Sequence, residues 1–135
     1  MSDDMVNEGP TSDEKARHQA DQEKRVRSEA TKLRRMLRQG GIDEERLKGV
    51  ARLIASAAFL AVTLSDLEDE INLDGCTDTY QNGALQWGTK QSPAVQTHAT
   101  FLARHLTTMK QLVDLLPEGE PKKPKDPLLD YVNRQ

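Results

Sequence analysis

The fold turns on the stretch LKGVARLIASAAFLAVTLSDLEDEIN, Leu47 to Asn72. Its apolar residues Leu47, Val50, Ile54, Ala57, Ala61 and Leu64 recur at threes and fours, and Ile71 follows after Glu68, with Leu53, Leu60 and Leu67 as a flanking row. That spacing keeps one side of an α-helix apolar. Asp43 is a good N-cap for it, with Glu44 and Glu45 in the first turn, and Asn72 and Gly75 mark its end. The reading is one helix of about seven turns. Ala55, Ser56, Ala57, Ala58 and Ala61 are small enough to let a second helix approach closely. The most apolar part, Leu53 to Leu64, falls short of the roughly 20 residues that a membrane helix needs.

A second stripe lies further along. Val95, Ala99, Leu102, Leu106, Met109, Val113 and Leu116 alternate fours and threes without a break, and Phe101, Leu112 and Leu115 widen the row. Ser92 is placed to cap this helix, Pro93 suits its first position and Pro117 closes it. Two helices of similar length with matching stripes predict an antiparallel pair as the stable centre. Between them, Asn82-Gly83 signals a two-residue hairpin turn, with strands at 77–81 and 84–90 and Leu85, Trp87 and Thr89 on one face. Two strands alone are marginal in water, so this island is expected to lean on a helix end or a neighbouring copy. Tyr80, Leu85 and Trp87 are its candidate assembly residues.

Upstream, residues 1–11 carry no apolar periodicity and read as a disordered leader. Residues 12–41 read as a charged helix, capped by Ser12, stopped by Gly40-Gly41 and with little to bury beyond Val26, Leu33, Met36 and Leu37. Residues 42–117 make the helical core, with the connector at 74–91. Residues 118–135 form a proline-rich tail whose cluster Leu128, Leu129, Tyr131 and Val132 is apolar enough to dock on a partner.

With 135 residues, 36% of them apolar and 30% charged, the chain is one domain with a small core, and burial completed against further copies is the default expectation. The net charge of −3 is unevenly spread. From Lys24 to Arg52, ten basic residues face four acids and leave that segment at +6, so the remainder carries −9. Clustered Lys and Arg neutralise phosphates, which makes Lys24, Arg25, Arg27, Lys32, Arg34, Arg35 and Arg38 candidate DNA contacts. A solvated helix face explains the same charges equally well.

Nothing in the residues argues for catalysis. A phosphate-binding glycine loop is missing, and His18, His98 and His105 have no metal-ligand spacing and read as solvated or interfacial. The acids Asp66, Glu68, Asp69 and Glu70 read as a solvated helix end. Cys76 is a lone cysteine, read as a small buried residue in a reducing compartment. No cofactor or metal is called for.

The phrases AAFLAVTLSDLEDEIN, TYQNGALQWGTKQSPAV and MKQLVDLLP, in that order across roughly Lys32 to Pro117, resemble small terminase subunits of tailed bacteriophages, in particular a group common in phages of Gram-positive bacteria. The resemblance implies a mainly α subunit: a long antiparallel helical pair with a charged N-terminal helix and a short β-hairpin or extended connector, assembling as an oligomeric ring. It also implies a non-enzymatic packaging factor in the host cell cytoplasm, recognising viral double-stranded DNA and delivering it to the large terminase subunit, which holds the ATPase and nuclease. The basic helix would then face DNA and the tail would engage the large subunit. Two other classes fit the residues: a dimeric DNA-binding transcriptional regulator and a structural or scaffolding oligomer.

Overall fold

A computed structural model describes residues 9–117 as four helices and one β-hairpin: α1 (Ser12–Gln39), α2 (Glu44–Gly49), α3 (Ala51–Asp74), β1 (Thr77–Gln81), β2 (Trp87–Gln91) and α4 (Pro93–Val113). The protein is mainly α with a two-stranded antiparallel sheet. The tail cluster Leu128, Leu129, Tyr131 and Val132 lies outside the described residues.

Local chemistry sets the boundaries. Thr11, one residue earlier than expected, caps α1 through a capping box: its hydroxyl accepts from the Glu14 N–H at 3.2 Å, and the Glu14 carboxylate accepts from the Thr11 N–H at 2.9 Å. Gly40 and Gly41 end α1 in a Schellman motif. There the Ile42 N–H donates to Leu37 O and the Gly41 N–H to Arg38 O, while Gly41 takes φ 99°. Asp43 Oδ1 accepts from the Arg46 N–H at 2.8 Å, as its position predicts.

The single helix expected from Asp43 onward is two. It breaks at Val50 (φ −111°, ψ 14°), next to Gly49, a residue with high conformational entropy and poor helix propensity. Backbone hydrogen bonds still run across the break, from Val50 N to Arg46 O and from Ile54 N to Val50 O, so α2 and α3 meet at a kink.

α3 is the middle of a three-helix layer, with α1 on one flank and α4 on the other. One cluster fills the end where α1 stops: Leu33 and Leu37 of α1, Ile42, Leu47 of α2, Ile54, Ala57 and Ala58 of α3, and Leu112 of α4. The expectation that α1 has little to bury therefore needs correcting. Ala30, Leu33 and Leu37 are spaced by three and four, and that short row is enough to seat the helix on α3.

Two further expectations change. The hairpin pairs Gln81 with Trp87, so five residues, 82–86, connect the strands in place of a two-residue Asn82-Gly83 turn. Asn82 N–H donates to Gln86 O at 2.7 Å, and Gly83 supplies the positive φ within that longer loop. Ser92 sits at the N-cap of α4 with Pro93 following, but its hydroxyl makes no capping bond. The Ser92 N–H donates to Cys76 O instead, closing the base of the hairpin, while the Cys76 side chain is exposed and not buried.

Candidate nucleic-acid interface and exposed apolar surfaces

α1 is the element that carries the basic segment, and its own burial decides which cations are free. With Ala30, Leu33 and Leu37 turned to α3, Lys24, Arg27, Arg35 and Arg38 are exposed and Arg34 is half-buried. At 100° per residue these five share one side of the helix with Arg17, and no acid falls on that arc between Arg17 and Arg38. The row is about 32 Å long, close to one turn of B-form DNA. Arg17 is an addition to the candidates. Its signal is the seven-residue interval in Arg17, Lys24, Thr31 and Arg38.

Four of the candidates are engaged within the subunit, Arg34 and Arg38 of the row among them. Arg25 Nη1 donates to Asp66 Oδ1 at 2.7 Å, tying α1 to α3, and that bond to the carboxylate holds its guanidinium above the ordinary arginine range. Asp66 is thus half of a structural pair, not part of a solvated helix end. Arg38 meets Glu44 at the α1–α2 corner, with Nε to Oε1 at 2.6 Å and Nη2 to Oε2 at 3.3 Å. The bond raises the arginine and lowers the Glu44 carboxyl. Lys32 Nζ lies 3.8 Å from Glu29, and Arg34 donates to Thr31 Oγ1 at 3.4 Å. Among the described residues, Lys24, Arg27 and Arg35 are in no ion pair.

The hairpin residues do not form one patch. Tyr80 pairs with Gly88 and Trp87 with Gln81, adjacent positions whose side chains leave opposite faces of the ribbon. The Tyr80 ring lies over Gly88, where an added Cβ would sit 2.7 Å from Tyr80 Cζ. Leu85 is in the loop and 92% exposed, and Trp87 is 67% exposed.

α4 holds the larger surprise. The row it turns to α3 is Ala94, His98, Phe101, His105, Thr108 and Leu112, spaced four, three, four, three, four. His98 Nε2 reaches 4.0 Å from Glu68, and His105 Nδ1 is buried without a hydrogen-bond partner among the described residues. The more apolar row expected to face α3 is displaced by one residue and divided: Val95, Met109 and Leu116 are half-buried, the last two against the core, while Leu102 is 39%, Leu106 61% and Val113 51% exposed. The Ser92–Cys76 bond ties one end of the helix to the hairpin, and Leu112 seats the other in the core.

On α3, Phe59 stands 48% exposed between two hollows, one shared with Val26 of α1 and one of about 440 Å³ shared with Phe101 and Arg104 of α4. No group of three or more His, Cys, Asp or Glu side chains suited to a metal ion occurs among the described residues. None of their helices is long and apolar enough to cross a membrane. The described residues thus make a mainly α layer with a basic outer helix and exposed apolar side chains. Compared with family models, curated proteins and solved structures, the chain finds no match.

Proposed function

We propose that the chain is a small terminase subunit: a non-catalytic DNA-packaging factor that binds viral double-stranded DNA and recruits or regulates the large terminase ATPase and nuclease. The observation that carries the DNA half of this reading is the acid-free basic row on α1. Among the described residues Lys24, Arg27 and Arg35 have no ion pair that binding phosphate would break. The division of labour with a large subunit rests on the resemblance alone, in which the tail cluster Leu128, Leu129, Tyr131 and Val132 meets that partner.

The test is DNA affinity of the full chain across a salt series, for wild type and for the triple variant Lys24→Ala, Arg27→Ala, Arg35→Ala. If these three side chains each meet one phosphate, the slope of log affinity against log salt falls by roughly 2 to 3 in the variant. An unchanged slope in a folded variant makes the row a solvated face and favours a scaffolding role. Protection of one short operator by a dimer, with no response from a large terminase subunit, favours the transcriptional regulator.

A further inference from the structure

The two hollows beside Phe59 meet at its ring, which lines both, so they open on one side of the layer. The hollow between α1 and α3 takes in Arg27, a member of the basic row. Arg52 of α3 and Arg104 of α4 line the other. Three helices thus each bring an arginine to the Phe59 side. With roughly 8–10 Å between packed helix axes, the outer two helices stand roughly 16–20 Å apart across α3.

Composition keeps this side positive. α3 has no acid from Ala51 to Ser65, and α4 has none from Pro93 to Val113. Arg27, Arg52 and Arg104 are exposed and, among the described residues, in no ion pair. Glu23 is the acid that lines a hollow, so three cations against one carboxylate leave the two hollows at +2. Further along the same side of α3, Asp66 is already held by Arg25, and Glu70 lies about 16 Å beyond Phe59.

Resting on the DNA-binding reading above, we infer that the phosphate-binding surface continues from the α1 row through Arg27 and across the Phe59 side, with Arg52 and Arg104 as further contacts to the backbone of double-stranded DNA. Guanidinium groups suit phosphate oxygens, which they meet with paired hydrogen bonds. The rest of the lining around Arg52 and Arg104 is Ala55, Ser56, Leu60 and two phenylalanines, which offers little to a base edge. These contacts therefore position the duplex and leave its sequence unread. A second line of contacts, on other helices than the first, also fixes how the duplex is rolled against α1.

The experiment extends the salt series to the full chain carrying Arg52→Ala and Arg104→Ala, with Arg52→Lys and Arg104→Lys as the conservative pair. Circular dichroism checks the fold. If each arginine meets one phosphate, the slope of log affinity against log salt falls by roughly 2 in the alanine pair, so the wild-type advantage shrinks about tenfold between about 50 and 200 mM salt. The lysine pair should keep the wild-type slope. The loss should be the same for duplexes of unrelated sequence.

As a second readout, Ser56→Cys and Leu106→Cys, each in a Cys76→Ser chain, are labelled with a neutral thiol reagent with and without duplex. Ser56 lines the hollow of Arg52 and Arg104, whereas Leu106 is 61% exposed and roughly 160° around α4 from Arg104. Duplex should slow labelling several-fold at position 56 and leave position 106 unchanged. Equal protection of the two positions, or an unchanged slope in the alanine pair while the α1 triple variant loses its own, overturns the inference and leaves the DNA-binding reading standing. Stronger protection of position 56 by a single strand overturns the assignment to a duplex. Wild type without salt-dependent affinity for DNA overturns both the reading and its extension.

Discussion

Gly40 and Gly41 are neighbours with different reasons to be glycine. Gly41 holds φ 99°, a conformation that costs an L side chain about 1–2 kcal/mol, and an added Cβ would lie 3.2 Å from Pro117 Cγ. Gly40 has an ordinary helical backbone, but a Cβ there would collide with Leu116 Cδ2, a methyl that can swing aside. Gly41→Ala is therefore expected to lower stability by about 1–2 kcal/mol, and Gly40→Ala by less, in urea unfolding. A larger loss at Gly40 would mean that Leu116 is held rigidly. The Gly-Gly stop, the Asp43 cap and Pro93 were all legible in the sequence, because each acts on backbone within a few residues. The Arg25–Asp66 pair was not, since its partners stand 41 positions apart and only the packing of α1 on α3 joins them.

At the scale of elements, periodicity placed the helices and misjudged a rotation. The row from Val95 to Val113 is the most apolar line on α4, yet its neighbour, with Ala94 and Leu112 buried at the two ends, is the one turned inward. A hydrophobic pattern specifies that a face will be buried, not by which partner. The same limit applies to the hairpin. Asn82-Gly83 marked the reversal, while the loop length depended on strand register, which the polar residues Thr77–Gln81 specify weakly.

The corner between α1 and α2 has its own pH dependence. Glu44 has a lowered pKa in the folded chain, so the stability from its pair with Arg38 is present above the ordinary carboxylate value of 4.5 and is lost as pH falls through the lowered folded value. Arg38 is raised and stays charged throughout. The difference in melting temperature between wild type and Glu44→Gln should thus be positive near pH 7 and shrink toward pH 3. Because both groups are exposed, the effect is small and weakens with salt.

Across the whole molecule, the consequential correction is that the basic helix belongs to the core. Leu37 is only 2% exposed, in a cluster shared with α2, α3 and α4. Leu37→Ala should therefore cost about 2–5 kcal/mol, a large share of the roughly 5–15 kcal/mol available to a domain. The whole chain should then still melt as one unit, at a lower temperature. A loss of DNA binding alone, with the α3–α4 pair melting unchanged, would show α1 to be independent. Charge composition could find the basic segment, but only packing shows which of its cations are already spoken for.

Leu116 against Gly40, and Pro117 against Gly41, have one more consequence. They pin Leu116 and Pro117 to the turn between α1 and α2, at the far end of α3 from the hairpin, about 36 Å away. The subunit thereby has a polarity: one pole displays Trp87 and Leu85, and the other holds the Gly40-Gly41 turn with Leu116 and Pro117. Copies joined side by side around an axis would inherit that direction, giving an assembly with two chemically different rims, each able to be addressed without disturbing the other.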